Sequence, residues 1–338
     1  MSKNSLTNIG ITMGDPNGIG PEVLLKSLKI MYPYKGWNPL IFGDIKILNK
    51  MNQILCTPFL FYEISENNIT FRKSSQEKIY IPVLDLSSSK KRNWVHGKYN
   101  EWSGESSFQY IINAIKYAKE KKIDAIVTSP ISKQALAEAG HFFPGHTEIL
   151  SHYCNVKRSI MMLAVDQLRA TMVTLHVSLR QVFELLTKEL ILETIEMTNL
   201  GLKKMGIPKP SIGVAGLNPH AGENQLFGDE ENRIICPAIV SANKKGINCL
   251  GPFPPDTVFL EHKKGLFDVV VTHYHDQALV PLKLYGFDKA VNITLGLPII
   301  RTSPDHGTAF NMAPLFKANP SSMIEAIKMA IKMTYSQR

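Results

Sequence analysis

The chain has 338 residues, of which 44% are apolar, and its 38 lysines and arginines against 29 acidic residues give a formal charge of +9. At about 150 residues per domain, this length predicts two domains, and a charged fraction of 20% excludes a disordered chain. No apolar run reaches the roughly 18–20 residues of a membrane span. The first residues also lack the apolar segment of a secretory signal, so we expect a cytoplasmic protein.

The basic balance does not predict a nucleic-acid partner. The excess of basic over acidic residues lies mostly in lysines that are scattered along the chain in pairs, such as Lys121-Lys122 and Lys203-Lys204. A nucleic-acid binder more often concentrates Arg and Lys on one element with interleaved aromatic residues. We therefore expect a small anionic substrate. The four cysteines form no C-x-x-C pair and are interpreted as ordinary core or surface thiols.

Short apolar strands alternate with amphipathic helices along most of the chain. In chain order, the pattern predicts strand 9–13, helix 21–30, strand 39–43, helix 103–121, strands 123–129, 159–165 and 171–175, helix 188–205, strands 211–216 and 267–272, and helix 321–334. This alternation predicts an α/β fold with helices on both faces of the sheet. No linker marks a boundary. We expect residues 1–132 with 299–338 to form a first α/β domain, and residues 133–298 a second one that carries most of the metal and substrate residues.

Unusual polar residues collect after the predicted strands, where open α/β sheets bind their ligands. His176, His220 and His275 each follow an apolar strand closely and could meet at one sheet edge. Three neutral imidazoles without a cysteine suit Zn²⁺, Co²⁺ or Ni²⁺. His273 stands two residues before His275, so either of these two could be the ligand.

Four other histidines lie in helical or polar surroundings. We expect them to be ordinary surface residues: His96, His141, His152 and His262.

The Gly14–Glu22 segment has glycines at 14, 18 and 20 between a predicted strand and a predicted helix. Such a loop either exposes backbone N–H groups to an anion or forms a tight turn, and its sequence leaves both open. The chain contains neither the G-x-G-x-x-G pattern nor a P-loop.

Seven motifs occur in an order that is specific to one family. They are ITMGDPNGIGPE at 11–22, TSPISK at 128–133, PGHTE at 144–148, NPHAGE at 218–223, GPFPPD at 251–256, YHDQ at 274–277 and NITLGLPIIRTSPDHGT at 292–308. With these motifs, the chain resembles the PdxA family of 4-hydroxythreonine-4-phosphate dehydrogenases of vitamin B6 biosynthesis.

The resemblance implies a two-domain α/β/α fold like that of isocitrate and isopropylmalate dehydrogenases, with an interdomain cleft. This fold binds NAD without a Rossmann motif. The resemblance also implies a homodimer with active sites at the subunit interface. The implied reaction is the NAD-dependent oxidation and decarboxylation of 4-phosphooxy-L-threonine to 3-amino-2-oxopropyl phosphate and CO₂.

The resemblance assigns roles to individual residues as well. His176, His220 and His275 would hold one divalent metal ion (Zn²⁺, Co²⁺ or Mg²⁺) per active site. The substrate would be bound by His146, Thr147, Lys283, Asn292 and Arg301. The positive charges of Lys283 and Arg301 suit a phosphorylated acid, because an arginine can grip two oxygens at once.

Two acidic residues are candidate catalytic groups. Asp256 and Asp276 could relay protons, but either could instead orient a histidine or cap a helix. Gln225 occupies a loop position where the family pattern leads us to expect glycine.

Alternatives of other classes remain at this point. One is a dehydrogenase of another phosphorylated hydroxy acid, such as a four-carbon phospho-sugar acid. Another is a metal-dependent hydrolase that uses the same histidines with a bound water and turns over without NAD⁺, although it lacks an obvious carboxylate general base beside the ligands. A non-catalytic binding protein of the acyltransferase-related versions of this fold would leave the histidines unexplained.

Overall fold

The structure is a computed structural model that describes residues 6–66, 68–75, 77–87 and 93–337. The chain divides into two compact units. The first comprises the residues up to Lys157 together with Leu297–Ser336, and the second is Arg158–Gly296. No helix in the described ranges is both long and apolar enough to cross a membrane.

The first unit contains a parallel sheet in the order β3-β4-β2-β1-β5-β12. Its strands are β1 Thr7–Thr12, β2 Trp37–Gly43, β3 Phe59–Glu63, β4 Ile79–Asp85, β5 Ala125–Thr128 and β12 Ile300–Pro304. Its helices are α1 Gly20–Met31, α2 Ile45–Leu55, α3 Glu101–Lys119, α4 Lys133–Glu138, α5 His146–Tyr153 and α11 Ser321–Ser336, with a short 3-10 turn at Ala313–Leu315. The strands β1, β2 and β5 are buried almost throughout, as expected when helices cover both faces.

The second unit contains strands in the order β11-β6-β7-β10-β8-β9. They are β6 Ile160–Val165, β7 Leu168–Met172, β8 Ser211–Ala215, β9 Asn248–Phe253, β10 Val269–Thr272 and β11 Val291–Leu295. Strand β6 is antiparallel to both of its neighbours, and the remaining pairs are parallel. The helices are α6 Leu179–Leu185, α7 Lys188–Lys204, α8 Cys236–Lys244, α9 Val258–Lys263 and α10 His275–Gly286, with a π-helix at Glu231–Ile235 and 3-10 turns at Pro219–Gly222 and Phe287–Lys289.

The α/β fold class expected from the sequence is confirmed. The first unit boundary lies at 157/158, compared with 132/133 in the sequence-based division, so α4 and α5 belong to the first unit. The reason is that α4 packs closely against α3 of the first unit. A Cβ added at Gly104 of α3 would lie only 1.9 Å from the carbonyl oxygen of Ala135 in α4. The second boundary lies at 296/297, compared with 298/299.

The expectation of a surface position for His262 is wrong. This residue, on α9, is only 5% exposed. Its Nε2 accepts a hydrogen bond from the Arg169 backbone N–H at 2.8 Å, and its Nδ1 lies 2.8 Å from the Phe267 carbonyl oxygen. These partners satisfy both ring nitrogens, which explains how the core tolerates the ring. His152 is exposed, whereas His96 and His141 are half-buried. All four cysteines are free thiols.

Candidate active site

Two of the three candidate metal ligands lie side by side in the second unit. The chain beyond β7 stays paired with the chain beyond β10, because Thr174 N–H donates to the His273 carbonyl oxygen at 3.1 Å. This pairing brings the ring centroids of His176 and His275 to 5.8 Å from one another. Both rings line a cavity of about 410 Å³, whose other walls are Leu175, Val177, Leu179, Tyr274 and Asp276.

Asp276 orients the ring of His275. The Nδ1 atom of His275 lies 2.6 Å from the Asp276 carboxylate, which can only accept a hydrogen bond when ionised. Nδ1 is therefore the donor, and the lone pair of a neutral His275 ring is on Nε2. Of the three roles considered for Asp276, this contact favours the orientation of a histidine. Asp256 is exposed and shares with Asp276 the wall of a second cavity of about 740 Å³.

His273 does not share the environment of His275. It is 0% exposed, and its Nε2 lies 2.7 Å from the Ala215 carbonyl oxygen. Burial lowers the pKa of His273 to about 4. The two side chains diverge because β10 ends at Thr272 and α10 begins at His275, so they are not on one strand face.

His220 lies on an exposed loop whose backbone is unusual. Its φ is +52°, and the residues from His220 to Gln225 all have positive φ. Gln225, at φ +75°, therefore occupies the kind of position where glycine is expected. The ring of His220 lies 6.2 Å from that of Phe227. In the described part of one chain, no three His, Cys, Asp or Glu side chains are grouped closely enough to hold a metal ion. The pair His176 and His275 thus fits two corners of a nitrogen site, and one chain does not bring His220 to them.

Arg301 is a buried cation in the first unit. It lies within β12 and is 2% exposed. Its Nε and Nη2 donate to Thr128 Oγ1 at 3.1 and 2.7 Å. Burial lowers the pKa of Arg301 to about 9, and the negative charge of Glu148 acts in the opposite direction.

His146 is the first residue of α5 and lies within the field of Arg301. Burial, and then the charge of Arg301, lower the pKa of His146, while a hydrogen bond with the Ser129 backbone opposes them. The ring is therefore neutral. Its Nε2 is buried without a hydrogen-bond partner among the described residues. Thr147 follows it and is half-buried. A buried cation beside an unsatisfied imidazole nitrogen suits an anionic, hydrogen-bonding ligand.

The two remaining candidate substrate residues are in the second unit. Lys283 is half-buried on α10, with its Nζ 5.6 Å from the centre of the Phe287 ring. Asn292 is on β11, and its Nδ2 lies 2.9 Å from Met161 Sδ. The Oδ1 of Asn292 is buried and has no partner within the described ranges.

The Gly14–Glu22 segment forms a tight turn built around a buried carboxylate. Asn17 N–H donates to Asp15 Oδ1 at 2.9 Å, and Ser103 Oγ lies 3.1 Å from Asp15 Oδ2. Gly18 N–H donates to the Asp15 carbonyl, and Ile19 N–H donates to the Thr308 carbonyl. These bonds occupy the loop's N–H groups, so the turn interpretation is favoured over the anion site.

Two residues near Arg301 lie in sequence motifs that predicted no role for them. Thr128 ends β5 and Glu148 lies in the first turn of α5, and both act on the arginine. Their position directly after a buried strand and beside His146 was the available signal.

Comparison with known proteins identifies the family. The sequence profile of the family described as pyridoxal phosphate biosynthetic protein PdxA matches residues 35–330. The chain belongs to the PdxA family. A protein of Beijerinckia indica, named 4-hydroxythreonine-4-phosphate dehydrogenase, is 42% identical over 96% of this chain and 94% of its own length. A protein of Oceanobacillus iheyensis, provisionally named D-threonate 4-phosphate dehydrogenase, is 42% identical over 98% of this chain and 99% of its own.

The fold of the chain also matches that of PdxA structures. The crystal structure of 4-hydroxythreonine-4-phosphate dehydrogenase from Klebsiella pneumoniae superimposes with a TM-score of 0.87 at 40% identity, covering 98% of this chain and all of that one. Membership of the PdxA family makes the chain a dehydrogenase with a place in pyridoxal phosphate biosynthesis.

Proposed function

We propose that this PdxA protein oxidises 4-phosphooxy-L-threonine with NAD⁺ and decarboxylates the product, giving 3-amino-2-oxopropyl phosphate and CO₂. The observation that carries the proposal is the pair of imidazoles, His176 and His275, over one cavity in a chain of a dehydrogenase family. The substrate hydroxyl lies β to a carboxylate, so removal of a hydride and a proton yields a β-keto acid. That acid then loses CO₂: the bond to its carboxylate carbon breaks, the electron pair of that bond is left as an enolate, and a proton added to the former α-carbon gives the product.

His176, His275 and His220 are the proposed ligands of the divalent metal. When bound, the ion supplies positive charge beside the hydroxyl oxygen, and NAD⁺ supplies the hydride acceptor. Asp276 keeps the His275 ring in the tautomer with a free Nε2 lone pair. Asp256 and Asp276, both exposed on the wall of the larger cavity, are the proposed groups for proton exchange with solvent.

The anionic parts of the substrate need cations and donors. In the first unit, Arg301 supplies a fixed charge, and the unsatisfied Nε2 of the neutral His146 ring can accept a hydrogen bond from a hydroxyl or ammonium group of the substrate. Thr147 adds a hydroxyl. Lys283 and Asn292 complete the proposed set, each with a polar group that suits phosphate or carboxylate oxygens.

A second substrate is favoured by one observation. The Oceanobacillus relative carries a different substrate name at the same 42% identity. We therefore hold D-threonate 4-phosphate as the alternative substrate. Both compounds are phosphorylated hydroxy acids, so the proposed roles of the site residues are unchanged.

We also propose a homodimer as the active form. Helices α6 and α10 of the second unit expose large apolar side chains: Leu179 and Phe183 on α6, and Val280 and Leu284 on α10. Leu284 is 88% exposed, which is unusual for a leucine on a helix without a partner. A second copy of the chain covering this surface would bury it.

Removal of single histidines tests the metal ligands. His176→Ala, His220→Ala and His275→Ala should each lose the metal, measured by elemental analysis, and lower NADH formation about 10²-fold or more. His273→Ala is the matched control and should keep its metal, because its ring faces the Ala215 carbonyl. Metal retention in the triple variant would contradict the ligand assignment.

A further inference from the structure

A buried carboxylate lies inside the loop that carries His220. Glu231 is 3% exposed, and its Oε1 accepts hydrogen bonds from the backbone N–H groups of Leu217 and Asn218, both at 2.8 Å. Its Oε2 accepts from Asn218 Nδ2 at 3.0 Å. One carboxylate thus holds three donors at the start of the loop.

The loop also packs against this carboxylate further along. A Cβ added at Gly222 would lie 2.8 Å from Glu231 Oε2, and one added at Gly216 would lie 3.3 Å from Oε1. The backbone on either side of His220 is therefore close to the carboxylate. Side chains at Gly216 or Gly222 would push the loop away from it.

The loop conformation needs such an anchor. A residue with a Cβ pays a steric cost at positive φ, and five such residues of the loop adopt it: His220, Ala221, Glu223, Asn224 and Gln225. Strain of this kind persists only where the surroundings over-determine the backbone. The hydrogen bonds from Leu217 and Asn218 lower the pKa of Glu231 against the effect of burial, so the anchor is ionised.

The carboxylate of Glu231 reaches the loop from the start of a short helix. Glu231 is the first residue of a π-helix that ends at Ile235, just before α8. A π-helix has hydrogen bonds between residues five apart rather than four, and such turns are frequent at functional sites. Neighbouring Glu230 makes one bond to the same segment, with its Oε2 2.8 Å from Asn218 Nδ2.

We propose that Glu231 is a positioning residue whose carboxylate fixes the 216–228 loop in the conformation that presents His220. The link to metal binding rests on the proposed function, in which His220 is a ligand. The local effect on the loop does not depend on that role.

The test compares Glu231→Gln with Glu230→Gln. Glutamine keeps the volume of Glu231 but removes its charge and turns one of its two acceptor atoms into a donor, which faces either the backbone N–H groups of Leu217 and Asn218 or the Asn218 side-chain amide. Amide exchange over residues 217–225 of the metal-free protein, followed by mass spectrometry, should become about tenfold faster or more in Glu231→Gln. The dissociation constant for Co²⁺, measured by competition with a chelator, should rise about tenfold or more. In Glu230→Gln, the exchange rate and the Co²⁺ dissociation constant should both stay within about threefold of the wild type. This variant affects one of the four hydrogen bonds that Leu217 and Asn218 donate to the two glutamates.

Two further variants keep the outcomes separate. If Glu231→Gln does not fold, Gly222→Ala presses a Cβ against the same carboxylate and should accelerate exchange in the same segment. Exchange equal to that of the Glu230→Gln control overturns the proposal, and so does a lowered melting temperature with unchanged exchange and Co²⁺ affinity. If His220→Ala keeps wild-type Co²⁺ affinity, the proposed ligand set fails, while the exchange comparison still decides the role of Glu231.

Discussion

Arg301 is a buried residue whose position is fixed by its neighbours and whose positive charge suits an anionic ligand. The cost of burying a guanidinium is offset here by Thr128 Oγ1, which accepts two of its N–H bonds, and by the charge of Glu148. Burial, and then the charge of Arg301, lower the pKa of the neighbouring His146, so that ring is neutral. This arrangement leaves a fixed positive charge beside a neutral ring in the first unit.

Arg301→Lys tests this arrangement. Lysine keeps the charge but loses the planar fork that can bind Thr128 and an anion together. We expect KM for the phosphorylated substrate to rise about tenfold or more while the variant stays folded. Steady-state kinetics and a melting curve measure the two quantities. A wild-type KM would show that Arg301 does not bind the substrate.

Asp15 makes the stability of the first unit depend on pH. Burial raises its pKa from 3.8 to about 6, so the folded state binds a proton more tightly than the unfolded state does. The stability that this proton contributes is complete below about pH 4 and is lost as the pH rises through 6.

Asp15→Asn removes this dependence, because an amide can accept from Asn17 N–H and donate to Ser103 Oγ. Relative to the wild type, its free energy of unfolding should increase by roughly 2–3 kcal/mol between pH 4 and pH 7. Urea denaturation at both pH values measures the difference. If the free energies of unfolding of Asp15→Asn and the wild type differ by the same amount at both pH values, the pKa of Asp15 is not raised by folding.

At the scale of elements, the 216–228 loop is the most strained segment described above. Gln225 holds φ +75°, a conformation that costs a residue with a Cβ roughly 1–2 kcal/mol. Glycine removes that cost but adds about 0.5–1 kcal/mol of unfolded-state entropy. We expect Gln225→Gly to be more stable than Gln225→Ala by about 0.5–1 kcal/mol in urea denaturation. The alanine variant is the control, and an alanine variant more stable than the glycine variant by about 0.5–1 kcal/mol would show that the position is not strained.

Elements with one clear period were predictable from the sequence, and others were not. The predicted helix 188–205 and strand 211–216 lie within a residue of α7 and β8. Strand β9 was missed because its sequence NCLGPF is largely exposed and contains glycine and proline. Helix α10 was missed altogether, since His275 follows β10 closely and without a capping side chain. That boundary decides which of His273 and His275 is exposed.

At the scale of the whole molecule, the sequence predicted which histidines follow strands, but not where each of them lies. The three histidines could be placed just after strands from the apolar pattern of the sequence. Two of them, His176 and His275, do lie side by side. The left-handed backbone of the His220 loop and the burial of Arg301 in β12 depend on packing between distant segments, which no local pattern records. Family motifs located these residues without giving their surroundings.

The proposed dimer makes a further whole-molecule prediction. If each active site takes residues from both chains, mixing two inactive variants by unfolding and refolding should restore activity in some pairs. Random pairing gives half heterodimers, each with one intact site, so recovery approaches about a quarter of wild-type activity. The alanine variants to mix in all pairs are those at His146, His176, His220, His275, Lys283 and Arg301. Confirmed subunit exchange without recovery in any pair would place every site within one chain.

The most direct test of the central claim follows NADH and CO₂ together. The purified protein is supplied with NAD⁺, a divalent metal and 4-phosphooxy-L-threonine, and in parallel with D-threonate 4-phosphate. We predict that NADH and CO₂ form in equal amounts from 4-phosphooxy-L-threonine, and that a chelator abolishes both. Product from D-threonate 4-phosphate alone would select the alternative substrate. Failure to reduce NAD⁺ with either compound, in a folded and metal-loaded protein, would contradict the proposed reaction.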